Sequence, residues 1–362
     1  MLHHGRSWLG YRVKQTLAKL SGKPLAFAPY PEFTAADVPQ TVPCQPAIFN
    51  RDHLSRVTQC GFSKPLQELI EVLEAREYVE RPLSTCDLGP ATVVGGIIFT
   101  PDNRILHSSF LHPGLRDITA TPPEVSERTV LINSMQGIRY FGHWLSDDVA
   151  AHEAFRGDSD LRALPLPGWS DARIYSRLFE QDWQGHMVIR SKALTLVRDL
   201  GFSLDKARRY RALRQRMRDN LGQPDERGKV VFLKRGPSGD PREIVNAAEL
   251  ETQLSAAGVM IVTAEGESEH FLRSMLDASV IITIEGSQDR HAIYALQDGG
   301  GMLTIAPPDR FYIASHEWAR NLDMHSGIVI GTVAEGGFTV DPNEILSMVD
   351  QLLARVENPV QH

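Results

Sequence analysis

The sequence predicts an α/β protein, and three observations carry that expectation. The chain has 362 residues, room for two domains at roughly 150 residues each. Its hydrophobic fraction of 42% and charged fraction of 23% are those of a globular protein, which excludes wholesale disorder. From residue 229 onward, short apolar runs alternate with helical patterns at the spacing of a parallel, doubly wound sheet.

Taken in order, residues 1–80 read as an irregular extension. It is proline-rich from Pro24 to Pro46 and ends in one amphipathic helix near residues 66–77, with Leu66, Leu69, Ile70 and Leu73 on one stripe. Residues 93–99 and 105–107, joined by Pro101-Asp102-Asn103, predict a β-hairpin. A strand over 129–132 precedes a helix over 141–155, and 172–178 is expected to be a further strand. Ser203 starts a helix over 203–221 that Gly222 and Pro224 stop.

Strands follow at 229–233, 259–264, 280–284, 302–306 and 327–333. The helices between them begin at Asn246, expected as a cap, at Glu269, after the turn 285–288 and at Ser315. The third of these is expected to end at Gly299-Gly300-Gly301. Asp341-Pro342-Asn343-Glu344 opens the last helix. The expected domains are therefore 1–80, 81–224 and 225–335, with a helical segment 336–362 that returns to the N-terminal domain.

Composition excludes several function classes. A net charge of −7 argues against a nucleic-acid coat. Cys44, Cys60 and Cys86 are too few and too scattered for a disulfide framework or a zinc site. The apolar runs are strand-sized, short of the roughly 20 residues of a membrane span. The opening residues carry charge and histidine where a signal peptide needs an apolar core. A soluble, cytoplasmic protein is the expectation.

Three constellations could carry chemistry. The loop of residues 234–242 leaves a strand's carboxyl end, where ligands bind in doubly wound sheets. Its Arg235 and Arg242 offer forked donors to phosphate or carboxylate; the alternative is a solvated loop pairing them with Asp240 and Glu243. The turn Glu285-Gly286-Ser287-Gln288 joins a buried strand to a helix whose free N–H groups suit an anion, with His291 a turn further on. Ser287 is no hydrolase nucleophile, because Glu285 and Asp289 stand where that elbow needs glycines.

The third constellation is Gly142-His143-Trp144-Leu145-Ser146-Asp147-Asp148. His143 and Asp147 share one helical face, Asp148 and His152 the next. A histidine oriented by a carboxylate is a workable general base. It could also be half of a metal site, or a bonded core histidine. Asp158-x-Asp160 resembles a metal-nucleotide signature but does not end a strand, and the basic run 206–218 reads as a solvated helix face.

In this order the pieces resemble glycosyltransferase family 61, a group that includes bacterial capsular polysaccharide biosynthesis proteins. The resemblance covers about residues 85–335. It rests on Gly142-His143-Trp144-Leu145 with Asp147, on Arg235 with Pro241-Arg242-Glu243-Ile244-Val245-Asn246, and on the strand, turn and helix around Gly286. Many members carry a His-Gly-Ala-type turn where this chain has Glu285-Gly286-Ser287.

The resemblance implies two Rossmann-like halves facing across a cleft, the GT-B-type arrangement. It also implies metal-independent, inverting transfer without a cofactor, from a nucleotide-sugar donor to a glycan or lipid-linked glycan acceptor, with no nucleic acid involved and peripheral contact with a membrane assembly machinery. Arg235, Arg242, Asn246, Glu285, Gly286, Ser287, Gln288 and His291 would then bind the donor, and His143 with Asp147 would deprotonate the acceptor. A non-catalytic binding relative and a metal hydrolase built on His143, Asp147, Asp148 and His152 are the competing readings.

Overall fold

A computed structural model describes residues 4–20, 26–121, 123–224, 226–236, 242–263 and 268–358. The fold is α/β and divides into two compact units, Met1–Val38 with Arg81–Gly201, and Pro39–Glu80 with Phe202–His362. The expected boundaries at 80 and 224 are therefore replaced by an interleaved division, whose causes lie in particular contacts.

The second unit carries a six-stranded, wholly parallel sheet. Its order is Met260–Thr263, Val230–Lys234, Ala278–Ile284, Leu296–Ala306, His325–Ile330 and Ile48–Phe49. Every residue of Ala278–Ile284 is buried, as a central parallel strand covered on both faces requires. The edge pair Ile48–Phe49 recruits residues of the supposed N-terminal extension. Leu69 and Leu73 of the helix Leu66–Glu74 pack with Phe311, Ile328 and Ile330 in one buried cluster.

The last helix, Pro342–Glu357, is capped by Asp341, which accepts the Asn343 N–H at 2.9 Å. Instead of returning to the N-terminal domain, it packs Ile345, Met348, Val349 and Leu352 against Val280, Ile282 and Leu303 of its own sheet.

The helix Leu204–Leu221 starts at Ser203 and stops at Gly222 as expected, but only part of its basic run, Arg208 and Arg211 among it, is a solvated face. Lys206, Arg209 and Arg214 are buried. Arg214 donates to the carbonyls of Ile293 and Leu296, and Arg218 to Leu296 at 3.1 Å. They satisfy the orphan carbonyls at the end of the helix Arg290–Ala295. That helix stops four residues before the glycines, because Leu296–Ala306 is already strand there.

The first unit has a mixed sheet, ordered Arg104–Leu106, Ile97–Phe99, Ser84–Val94, Val188–Arg198, Thr129–Leu131 and Leu161–Arg162, with Thr34–Ala35 beside Ser84–Val94. The pairs on either side of Ser84–Val94 are antiparallel, and Thr129–Leu131 is parallel to both its neighbours. Leu131, Val93 and Leu196 fill one face, and Val130, Ala151 and Val197 the other.

Residues 172–178 are helical, within Ser170–Leu178, not the expected strand. Ala172, Tyr175 and Leu178 are its buried residues, a helical repeat that the strand-favouring Ile174-Tyr175 pair disguises. The longest elements without a sequence forecast are the helix His4–Leu20 and the strand Val188–Arg198.

Candidate functional site

In a sheet of the second unit's order, ligands bind outside the carboxyl ends of the strands where the winding reverses. Here that point lies between Val230–Lys234 and Ala278–Ile284, since the next strand in sequence after Val230–Lys234 lies on one side of it and Ala278–Ile284 on the other. The residues that leave these two strands are Arg235 and Glu285, so the sequence places charged groups where the topology opens a crevice.

The Glu285 carboxylate, 6% exposed, lies 3.5 Å from Nε of Arg242 and 3.1 Å from Nε of Arg310. Arg310 follows the neighbouring strand Leu296–Ala306 and escaped the sequence reading, since nothing around Pro307-Pro308-Asp309-Arg310 forms a motif. Gly286 has φ +146, and a Cβ there would stand 2.4 Å from Nη1 of Arg235, so only glycine lets that guanidinium approach. Gln288 ties the two loops together by accepting the Gly236 N–H at 3.1 Å. The centre of the arginine loop, residues 237–241, lies outside the described residues.

Behind this turn Arg290 donates to the Gly286 carbonyl at 2.8 Å, pairs with Asp289 and lies over the Trp318 ring at 4.1 Å. Burial pushes the Asp289 carboxyl up to about 6, with the Arg290 guanidinium acting against it. The turn is thus held from below while Ser287 and Gln288 stay partly exposed.

A cavity of about 440 Å³ opens beside the cluster. Arg242, Glu243, Pro307, Asp309 and Arg310 line it, with residues 59–63 and 336–338. It is polar, lined by the guanidinium groups of Arg242 and Arg310 and by the carboxylates of Glu243 and Asp309.

Two donor-site expectations change. Asn246 stands at the N-cap of its helix as expected, but its side chain makes no cap hydrogen bond: its amide donates to Val340 O at 2.9 Å and accepts the Val340 N–H at 3.0 Å. His291 is 1% exposed, edge-on to Phe271 with centroids 5.0 Å apart, so its ring is packed in the core. The helix after Gly286 is a 3₁₀ turn, Ser287–Asp289, followed by only six α-helical residues.

In the first unit, His143 and Asp147 meet within the helical segment that follows the capped turn Met135–Arg139. Nδ1–H of His143 donates to Oδ2 of Asp147 at 2.8 Å, which leaves Nε2 as the acceptor of the neutral ring. The histidine side chain is 29% exposed and the aspartate 6%. Residues Trp144–Asp148 form a π turn, closed by the Val149 N–H to Trp144 O, a widening that recurs at functional sites. Trp144 anchors it with no exposure, its ring 5.4 Å from Trp183.

The neighbouring pair is structural. Asp148 accepts the Ser134 N–H with both oxygens at 3.1 Å, and His152 donates from Nε2 to Asp182 O at 3.0 Å. The hydrolase reading thereby loses two of its four residues. No group of three or more His, Cys, Asp or Glu among the described residues could hold a metal ion. Asp158 and Asp160 both pair with Arg128, at 2.9 and 3.2 Å. No helix among the described residues is long and apolar enough to cross a membrane.

The family model described as Glycosyltransferase 61 matches residues 141–303, from the histidine helix of the first unit through the Glu285 turn of the second. No curated protein matches the chain.

Proposed function

We propose that this chain, a member of glycosyltransferase family 61, transfers a sugar from a nucleotide-sugar donor to a glycan hydroxyl during surface polysaccharide synthesis. The second unit binds the donor and the first supplies the base, the division of labour of a GT-B-type enzyme. The observation that carries the reading is the convergence of Arg242 and Arg310 on Glu285 at the sheet's winding reversal, with Arg235 against Gly286.

In this reading the diphosphate lies against those guanidinium groups. Charge develops on it as the bond to the anomeric carbon breaks, and fixed cations placed there stabilise the departing group. Nε2 of His143 takes the proton of the acceptor hydroxyl, and Asp147 steadies the imidazolium that results. The freed oxygen attacks the anomeric carbon opposite the leaving group, so the configuration inverts. No cation is needed where arginines neutralise the diphosphate, and activity is expected to persist in excess chelator.

Calorimetric titration of UDP, GDP, CDP and ADP, with chelator present, tests the donor site. Arg242→Ala removes one charge-assisted contact and is expected to weaken binding by about 1.5–3 kcal/mol, about ten- to a hundredfold. Unchanged affinity would place the donor elsewhere.

A further inference from the structure

The far wall of the 440 Å³ cavity is made by residues 59–63, which lie outside the family match. A short backbone ladder fixes them to the loop that carries Arg310. Thr58 N–H donates to Pro308 O at 2.7 Å, Phe311 N–H to Gln59 O at 2.9 Å, and Gly61 N–H to Phe311 O at 2.9 Å. At the tip of this wall Phe62 and Ser63 have φ of 56 and 54, a left-handed conformation unfavourable for a bulky residue without glycine's freedom. The Phe62 ring lies outside the core: it is 64% exposed. One neighbour is Tyr312, with centroids 4.9 Å apart, and the other is the Arg310 guanidinium, 5.9 Å from the ring centroid.

An exposed aromatic ring beside Arg310, in a polar cavity that Arg242 also lines, matches a ligand with a flat π-face at one end and an anion at the other. We propose that Phe62 is the platform on which the donor's nucleobase stacks, while Arg242 and Arg310 hold its diphosphate. The inference rests on the donor-site reading above and adds to it the residue that recognises the base. Stacking on an aromatic ring tolerates any base, so the platform contributes affinity, and the choice among bases comes from other groups.

The test compares two probes by calorimetry, the tightest-binding of UDP, GDP, CDP and ADP, and inorganic pyrophosphate, which has no base. Phe62→Ala is expected to weaken the nucleoside diphosphate roughly five- to a hundredfold and to leave pyrophosphate within about twofold, with Phe62→Trp restoring affinity. An unchanged melting temperature confirms that the exposed ring was removed without unfolding.

Two results overturn the proposal: nucleoside diphosphate affinity unmoved by Phe62→Ala, or equal loss of both probes. Arg242→Ala separates the two levels. If it weakens both probes while Phe62→Ala moves neither, the stacking role alone fails. If the wild-type protein binds no probe, the donor site fails and the platform with it.

Discussion

In the second unit the residues that could touch a ligand sit on loops leaving parallel strands, while in the first they sit inside a helix. Glu285 is displayed by a strand buried along its whole length, and its arginine partners come from the loops after two neighbouring strands. His143 owes its position to a π turn clamped by Trp144 and by the Asp148 carboxylate beneath it. The contrast teaches that an α/β edge gathers charge from distant segments, whereas a helical dyad is local and depends on how its one helix is seated. Substitutions in the two regions should accordingly fail in different ways.

The largest effect is expected at Gly137. A Cβ there would stand 1.9 Å from Oδ2 of Asp148, a clash with a buried carboxylate that also satisfies the Ser134 N–H. Gly137→Ala should lower stability by about 3 kcal/mol, seen as a fall in melting temperature with loss of activity. A melting temperature equal to wild type would mean that the helix is not seated in this way.

The comparison sharpens with pH, because each unit buries a neutral histidine. In the first unit His107 donates from Nε2 to Asn133 O at 2.9 Å and accepts from Tyr30 Oη at 3.0 Å. Burial pushes it down to about 4. In the second, His316 accepts from Ser326 Oγ at 2.7 Å and donates to Val72 O at 3.2 Å, and burial, with Arg320 nearby, pushes it down to about 3. Both folded values lie below the ordinary histidine value of about 6.5. Their contribution is therefore fully present above pH 6.5 and is lost as pH falls toward 4 and 3.

Asp289 has the opposite sense: its contribution is present below about pH 4 and lost as pH rises through about 6. His107 and His316, with His152, His186 and His325, which burial also pushes down, outweigh one carboxylate and predict a melting temperature that declines between pH 6.5 and 4. A flat profile over that range would contradict this balance.

The smallest effect is expected at Asp158 and Asp160. Their partner Arg128 is 47% exposed, so Asp158→Asn or Asp160→Asn should change stability by less than about 1 kcal/mol and leave activity within twofold. Abolished transfer, restored by manganese, would return that pair to a catalytic role.

The same contrast governs what the sequence discloses. Apolar runs closed by Gly222, Gly258 and the Asp341 cap spell out the second unit, because a parallel strand is uninterrupted along its length. The strand Val188–Arg198 is illegible for the opposite reason. Arg190 and Lys192 break its apolar pattern, and its place is settled by pairing with Ser84–Val94, about a hundred residues away.

At the site, His143 and Asp147 are legible because four residues separate them on one helix. Arg310 and Phe62 are not, since their placement arises only from long-range contacts, of Arg310 with Glu285 and of residues 58–61 with 308–311. Asn246 and His291 show the converse: a suggestive residue type in a suggestive place, with its hydrogen bonds or its ring committed to the core.

The central claim is that the dyad of the first unit moves a proton while the arginines of the second hold the donor. Turnover and donor affinity measured together on His143→Ala test it most directly. The account predicts a turnover number reduced roughly 10²–10⁴-fold with nucleotide affinity and melting temperature nearly intact, and a smaller loss for Asp147→Asn. Turnover within a few-fold of wild type, or a joint fall of turnover, affinity and melting temperature, would contradict it.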